Sequence, residues 1–310
     1  MVHCDSMTEE PATILEIDPA WRREFEDMGS KPKFWFRYQD EMWLFKEARP
    51  NTGEHWAEKV ASEIAVLLKL PTHEVRIARH EGRMGCAVKS FLKKDQTLVH
   101  GNEVLAGAIE GYDKSKHRGQ ADHNFQNIVN ALEKRFRTPE VRLSVSKRFV
   151  GYLVLDALVG NTDRHHENWG IVLKPFVQND AGWVSVSKRR IGLAPTFDHG
   201  SSLGRELLED RARRLVADPQ AINRYIRKAT GGIFQNAQAR KGMAPIALVE
   251  LIAATYPELV RPWKNRIAAL PEDFAVPLIS SVPACCMTEA SREFVLAFLG
   301  ASRKMITSIL

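Results

Sequence analysis

The sequence lacks the features of a membrane protein and of a disulfide-rich secreted protein. Four cysteines in 310 residues are too few for a disulfide scaffold, and none has a paired metal-ligand spacing. No apolar run approaches the roughly 20 residues that cross a bilayer, so we expect no membrane span. Residues 1–10 carry acids and no basic region ahead of an apolar stretch, which predicts no signal peptide and a cytoplasmic location.

The chain also lacks a strong excess of charge of one sign. It has 44 Lys and Arg against 38 Asp and Glu, a net charge of +6 that is mixed with acids throughout. This balance argues only weakly for nucleic acid, and we predict no direct nucleic-acid partner. Hydrophobic residues at 44% and charged residues at 26% are typical of a globular protein and exclude a disordered chain. The length suggests one large domain or two lobes.

The predicted secondary structure changes along the chain, from strands with one helix to mostly helices. Aromatic-rich runs around a short polar turn predict a hairpin, and a helix with one apolar stripe comes next. Beyond a loop rich in Gly, His and Lys at 111–122, the pattern becomes mostly helical. The predicted strands are 34–38, 42–46, 74–79, 85–92, 169–173 and 183–187, and the predicted helices are 56–69, 125–136, 141–159 and 291–299. The sequence therefore predicts an α+β fold.

The densest polar cluster is G-N-T-D-R-H-H-E-N-W-G at residues 160–170, between an apolar helix and a short strand. Loops held between rigid elements commonly carry catalytic groups. Asp163 and Asn168 have the Asp-to-Asn spacing of a kinase catalytic loop, in which the Asp accepts the proton of the attacking hydroxyl and the Asn holds Mg²⁺. The alternative is an Asx-rich turn, which would not require a matching acid elsewhere.

A matching acid is present in T-F-D-H-G-S-S-L-G at residues 196–204. Asp198 follows a predicted strand pair, where a kinase places its second Mg²⁺ ligand. An oriented base and metal ligands cover most of what phosphoryl transfer requires.

The first part of the chain supplies a lysine and an acid. Lys46 ends a predicted strand, from which its ammonium can reach phosphates. In the next helix Glu63 lies beside the apolar stripe, whereas Glu58 projects the opposite way. An acid near a buried face needs a partner, so we predict a pair between Lys46 and Glu63. Ahead of the hairpin, the turn at residues 29–33 offers backbone N–H groups to phosphate.

The order of these motifs resembles that of the HipA-like serine/threonine kinases. The motifs are, in order, G-S-K-P-K, F-K, the helical Glu63, the D-R-H-H-E-N loop and D-H-G-S-S. These kinases are related to the phosphatidylinositol 3/4-kinases, whose loops carry a similar D-R-H-x-x-N. The resemblance runs over residues 29–203 and extends to the helical tail. It implies a two-lobed fold with a β-rich N-lobe and a helical C-lobe. It also implies ATP and Mg²⁺ as cofactors and transfer of the γ-phosphoryl group to a protein Ser or Thr.

The resemblance also implies roles for individual residues. By motif, Asp163 is the catalytic base, Asn168 and Asp198 are Mg²⁺ ligands, and Lys46 with Glu63 forms the pair at the ATP phosphates. The remaining ATP-site predictions are Gly29, Ser30, Lys31 and Lys33 in the phosphate-covering turn, Ser90, Phe91 and Leu92 as the adenine hinge, and His165 by hydrogen bonding around the catalytic loop. Ser30 is also the candidate for autophosphorylation.

Organisation and partners follow from the same resemblance. We expect an N-terminal segment at 1–28, an N-lobe at 29–110 and a C-lobe at 111–310. Family toxins often carry an extra N-terminal subdomain, so this chain resembles the short forms, which act alone or receive that piece from a separate protein. The expected setting is the bacterial cytoplasm. The expected partners are an antitoxin and a protein substrate such as an aminoacyl-tRNA synthetase.

Three alternatives remain open at this point. A lipid kinase shares the D-R-H-x-x-N motif, although no basic amphipathic helix of the membrane-binding kind is evident. A metal-dependent phosphohydrolase would use His165, His166 and His199 with Asp163 and Asp198 as ligands. A pseudokinase is disfavoured because the main reacting groups are present.

Overall fold

The computed structural model describes residues 13–25, 32–174 and 191–309. These residues form a mixed α+β structure with a six-stranded sheet, a three-stranded sheet and helices. The strands are β1 (Leu15–Glu16), β2 (Arg22–Phe25), β3 (Lys33–Tyr38), β4 (Glu41–Glu47), β5 (Val75–His80), β6 (Arg83–Lys89), β7 (Thr97–His100), β8 (Gly170–Leu173) and β9 (Ile191–Leu193). The helices are α1 (Glu54–Leu67), α2 (Gly101–Ala106), α3 (Phe125–Glu133), α4 (Pro139–Val159), α5 (Glu209–Val216), α6 (Pro219–Lys228), α7 (Pro245–Thr255), α8 (Pro257–Ala268), α9 (Ala275–Ser280) and α10 (Glu289–Ser308).

The six-stranded sheet is built on the predicted hairpin. Its order is β1-β5-β6-β4-β3-β2, with β1 parallel to β5 and the other pairs antiparallel. Between β3 and β4, Gln39 and Asp40 adopt φ values of 49° and 58°, as a tight hairpin turn requires. The predicted hairpin is therefore confirmed.

The two faces of this sheet differ in what they carry. Because side chains alternate along a strand, the register places Phe34, Phe36, Trp43 and Phe45 on one face, where they form an aromatic core. Lys46 is on the opposite face, beside its register partner Cys86. Helix α1 packs against β5 and β6, and Ile77, the register partner of Cys86, belongs to the same core as α1. Lys46 therefore leaves the sheet on the face toward α1.

The chain crosses from the first sheet to the second in residues 90–96. These residues follow β6 and lead into β7, which pairs with β8, and β8 pairs with β9. The crossing precedes the predicted lobe boundary at 110/111, because β7 and α2 already contact β8. Strands β1 and β2 belong to the first sheet, although the sequence predicts a separate segment at 1–28. The division into lobes stays a prediction.

Helix α4 is the centre of the helical part. It contacts α1, α3, α7, α8 and α10. Its residues from Phe149 to Val159 are all buried, as the continuous apolar run predicts. Within the described residues no helix is long and apolar enough to cross a membrane. The predicted strand at 183–187 lies outside the described residues.

Candidate active site

The end of α4 sets the position of the first polar loop. Gly160 adopts a left-handed φ of 68°, which stops the helix. A Cβ at this position would lie 2.5 Å from Cζ of Phe298 in α10, so a glycine is required for space as well. The N–H of Asn161 then donates to the Asp156 carbonyl at 2.9 Å. The loop from 161 to 169 thus starts from a fixed point on a buried helix.

A buried ion pair holds the middle of this loop. The Arg164 guanidinium donates from Nε and Nη2 to the two oxygens of Asp156, each at 2.7 Å, and both side chains are only 3% exposed. Asn161 Nδ2 donates to the same carboxylate at 2.9 Å. Burial opposes the charge on Arg164, but Asp156 holds the pKa of the guanidinium above its ordinary value. Asp156 is therefore the buried acid that braces the loop.

Arg164 also joins the first polar loop to the second. Its Nη1 donates to the carbonyl of Asn168 and, at 3.2 Å, to that of Phe197, and its Nη2 donates to Thr196 Oγ1 at 3.1 Å. One buried cation thus connects the segment that carries Asp163 and Asn168 to the segment that carries Asp198.

His199 belongs to the same buried network. Its Nδ1 accepts from Arg164 Nη2 at 3.4 Å, and its Nε2 lies 3.1 Å from Thr196 Oγ1. Burial, and then the charge of Arg164, lower the pKa of His199 to about 4, so the ring is neutral near pH 7. Both ring nitrogens contact protein groups, which disfavours His199 as a metal ligand of a phosphohydrolase.

Asp163 and Asn168 are held differently within the loop. Asp163 is exposed, its N–H donates to Asn161 Oδ1 at 3.1 Å, and Ser201 Oγ donates to its Oδ2 at 3.5 Å. Asn168 Nδ2 donates to the backbone carbonyl of Asp163 at 2.7 Å. Because the amide nitrogen is used in this bond, Asn168 offers its carbonyl oxygen to a cation. His165 takes part in the same turn, accepting at Nδ1 from the N–H of Glu167 at 3.2 Å.

The structure brings Lys46 and Asp198 together across 152 residues of sequence. Lys46 Nζ lies 3.0 Å from Asp198 Oδ1, and the two side chains are 22% and 43% exposed. Burial lowers the pKa of Lys46, but Asp198 and then Glu58 raise it, with the net result above the ordinary value. Lys46 therefore stays a cation. Asp198 itself adopts a φ of 60°, a costly conformation for a residue other than glycine.

On α1 the acid whose charge acts on Lys46 is Glu58, and the predicted pair between Lys46 and Glu63 was wrong. Glu58 is 1% exposed, and its Oε1 lies 3.2 Å from His73 Nε2. Burial raises the pKa of this carboxyl, but Lys46 and then His73 lower it, and the net shift is downward. Glu63 forms an ion pair with Lys59 on its own helix instead.

The prediction for Glu63 was wrong because α1 is rotated about its own axis so that a second face is buried. The predicted apolar stripe of α1 consists of Trp56, Val60, Ile64 and Leu67, but Leu67 is 42% exposed. The small residues Ala57, Ala61 and Ala65 are completely buried, because α1 is enclosed on more than one side. This second buried face includes Glu58.

Of the four predicted ATP-site residues in the turn at 29–33, Lys33 lies within the described residues. Lys33 is the register partner of Lys46 across β3 and β4, so both side chains leave the same face of the sheet. Gly29, Ser30 and Lys31 lie outside the described residues.

The predicted hinge lies at the start of the crossing between the sheets. The N–H of Ser90 donates to the Met42 carbonyl at 2.9 Å, and the N–H of Leu92 donates to Ser90 Oγ at 3.3 Å. The Phe91 ring lies 5.7 Å from that of Phe197 and stacks on His73 at 6.5 Å. This aromatic group connects the hinge to the segment that carries Asp198.

Sequence reasoning missed three contributors to the site. The motif gave Arg164 no role of its own, although an acid buried in α4 at Asp156 requires a cation nearby. No local signal indicated Glu58 or its partner His73, because their pairing depends on how α1 packs on the residues after it.

Comparison with known proteins finds similar sequences and similar folds. The family model of the HipA-like C-terminal domain matches residues 28–250. The curated serine/threonine-protein kinase CtkA of Helicobacter pylori is 24% identical over 223 residues, which cover 69% of this chain and 62% of the relative. The chain thus matches less than two thirds of that relative's length.

Two solved structures have a similar fold. The crystal structure of a Helicobacter pylori proinflammatory kinase, CtkA, aligns with a TM-score of 0.74 at 20% identity, covering 97% of this chain and 96% of that one. HipA of Shewanella oneidensis, in a complex with HipB and operator DNA, aligns with a TM-score of 0.58 at 13% identity, covering 94% and 66%. At these identities the two structures establish similarity of fold.

Proposed function

Because the chain belongs to the family of the HipA-like C-terminal domain, we propose that it is a serine/threonine-protein kinase that uses ATP and Mg²⁺. The observation that carries the proposal is the assembly of Lys46, Asp198 and the Asp163 loop into one site. A phosphate-binding lysine, a metal-binding acid and an exposed base are the parts that phosphoryl transfer requires. The curated relative CtkA is named a serine/threonine-protein kinase, which supports the same activity here.

The residues present fit a bound Mg²⁺. The Asp198 carboxylate and the Asn168 amide oxygen are the hard oxygen donors that this ion prefers. When bound, Mg²⁺ neutralises negative charge on the phosphate oxygens of ATP. Asp198 and Asn168 would hold the ion, and the Arg164 network would keep the two loops that carry them in register.

Asp163 would receive the proton of the acceptor hydroxyl. Its carboxylate is exposed, as a base must be to meet a protein substrate, and Ser201 and Asn161 orient it. Lys46 would bind the phosphates of ATP as a permanent cation. Glu58, which is buried and whose charge raises the pKa of Lys46, would act as a positioning residue that keeps the ammonium charged and in place.

The proposed arrangement has two lobes with the nucleotide between them. The six-stranded sheet with α1 would be the N-lobe, the helical part would be the C-lobe, and residues 90–92 would be the adenine hinge. The crossing of the chain between two sheets at 90–96 supports this position for the hinge. The turn at residues 29–33 would cover the phosphates, with Ser30 as the autophosphorylation site.

The proposed partners are a protein acceptor and an inhibitor of the antitoxin type. The Shewanella HipA structure is a complex with HipB, which supports a search for such an inhibitor. For the acceptor, a translation component such as an aminoacyl-tRNA synthetase is the first candidate.

The test is transfer of label from γ-labelled Mg-ATP by the protein alone, with bacterial lysate and with phosphatidylinositol vesicles. General bases contribute about 10²–10⁴-fold, so Asp163→Asn should lower transfer by at least about 10²-fold. Asp273→Asn removes a carboxylate from an exposed position outside this site and should leave transfer unchanged. Loss of the protein's own label in Ser30→Ala would identify the autophosphorylation site.

Three outcomes would contradict the proposal. Equal transfer by Asp163→Asn and the wild type would show that Asp163 is not the base. Label on lipid and none on protein would favour the lipid kinase. Hydrolysis of phosphate esters without ATP binding would favour the phosphohydrolase.

A further inference from the structure

We propose that His117, His166 and Glu167 form a binding site for a divalent transition-metal ion, with Zn²⁺ as the first candidate, next to the Asp163 loop. One nitrogen of each imidazole and one oxygen of the carboxylate lie within 4.8 Å of one another. Two imidazoles and a carboxylate are a ligand set that Zn²⁺ accepts in proteins, with a water molecule completing the tetrahedron.

His166 is the residue that points to a ligand. It is 1% exposed, and its Nδ1 lies 2.8 Å from the Tyr112 hydroxyl. Its Nε2 is buried and has no hydrogen-bond partner within the described part of the chain. A buried polar atom without a partner is costly and requires an explanation. A metal ion at Nε2 would satisfy it, since metal-bound histidines use their second nitrogen for an outer hydrogen bond, here to Tyr112.

Glu167 is oriented toward the same point. One carboxylate oxygen, Oε2, lies 3.1 Å from His117 Nδ1, and the other, Oε1, accepts from Asn102 Nδ2 at 3.3 Å. The Asn102 N–H also donates to the His166 carbonyl at 2.8 Å. Tyr112 and Asn102 therefore act as outer partners that set the directions of the two ligands from the catalytic loop.

His117 completes the site from a different segment. It belongs to the loop at 111–122, and its side chain is 62% exposed, so solvent reaches the cluster. An ordinary surface pair between His117 and Glu167 would account for these two residues but not for the unpartnered nitrogen of His166. A metal ion would connect the 111–122 loop to the two residues that precede Asn168.

The proposed ion differs from the one that a kinase uses. Imidazole ligands favour Zn²⁺ and similar metals, whereas Mg²⁺ prefers oxygen ligands. The site should therefore bind Zn²⁺ in the presence of excess Mg²⁺, and it would act by tying a loop to the catalytic segment.

The experiment measures Zn²⁺ binding to the full chain after treatment with EDTA, by titration calorimetry in a Mg²⁺-containing buffer and by metal analysis after dialysis. We expect about one tightly bound Zn²⁺ per chain. His117→Ala should weaken binding at least 10-fold, and Tyr112→Phe should weaken it by roughly 10–100-fold, the usual effect of removing an outer partner. Glu272→Gln removes an exposed carboxylate outside the cluster and should bind Zn²⁺ like the wild type.

Two results would overturn the proposal. One is a wild-type chain that retains no Zn²⁺, and the other is a His117→Ala variant that binds it as tightly as the wild type. His117 is exposed, so this variant should fold, and circular dichroism would verify it. A chain that binds no Zn²⁺ would not contradict the kinase proposal, because this experiment measures metal binding and not phosphoryl transfer.

Discussion

Replacement of Asp156 by alanine should destabilise the protein strongly, because it leaves the Arg164 guanidinium buried without its carboxylate. Both side chains are 3% exposed, so water does not screen the pair. Removing one partner of such a pair costs about 3–5 kcal/mol. The loss of an acceptor for Asn161 Nδ2 acts in the same direction. Against a typical total stability of about 5–15 kcal/mol, this is a large fraction.

Thermal and urea unfolding measure the effect. At roughly 2 °C per kcal/mol for a chain of this size, the midpoint temperature should fall by about 6–10 °C. The matched control is Glu250→Ala, which breaks the pair between Arg227 and Glu250, whose side chains are 53% and 36% exposed. An exposed pair contributes at most about 1 kcal/mol, so this variant should unfold close to the wild type.

A double variant separates stability from activity. Asp156→Leu with Arg164→Met replaces the pair by apolar side chains of similar length and should be more stable than Asp156→Ala. It should still lose phosphoryl transfer, because the carbonyls of Asn168 and Phe197 lose their shared donor. If Asp156→Ala costs no more than Glu250→Ala, the buried pair does not stabilise the fold and the argument fails.

Three further predictions test other parts of the structure. Glu58→Gln should lower kcat/KM of transfer by about 10–10²-fold through misplacement of Lys46, the proposed phosphate-binding lysine, while Glu63→Gln should stay near the wild type; the reverse order would contradict the role proposed for Glu58. Gly160→Ala should cost roughly 2–4 kcal/mol in urea unfolding, because of its left-handed φ and the contact with α10, while Gly300→Ala, with open space around it, should not destabilise; equal effects would contradict the steric argument. Burial lowers the pKa of His123 from 6.5 to about 3, so the unfolded chain binds a proton that the folded chain does not; stability should fall by about 1.4 kcal/mol per pH unit from this residue as pH drops below 6.5, and urea unfolding of His123→Gln at pH 7 and 5 should show a shallower dependence.

Local patterns account for most of the elements that sequence reasoning found. The aromatic hairpin, the apolar run of α4 and the helix at the C-terminal end were all expected, since alternation and helical periodicity are properties of short segments. The Asp163 loop was singled out for the same kind of reason, as its polar residues are contiguous in sequence. The family was recognised from the order of short motifs, above all D-R-H-H-E-N and D-H-G-S-S, and the match over 28–250 confirms it.

The sequence of a short segment does not indicate how that segment packs against the other elements of the fold. Helical periodicity indicates which residues share a face of α1 but not how the helix is rotated against the sheet. This rotation buries Glu58, whose charge acts on Lys46, and leaves Glu63 paired with Lys59. Strand pairing likewise places β7 in the second sheet. The chain therefore crosses between the sheets at residues 90–96, ahead of the predicted boundary at 110/111.

The sequence alone determined the family, the main elements and the polar segments that a phosphotransferase site would need. Only the tertiary structure decided how these segments are joined. Arg164 binds the second polar loop, and His166 meets His117 across 49 positions, through contacts between segments far apart in the chain. Such contacts depend on packing and burial, which act between elements and leave no periodic signal in the residues of either one.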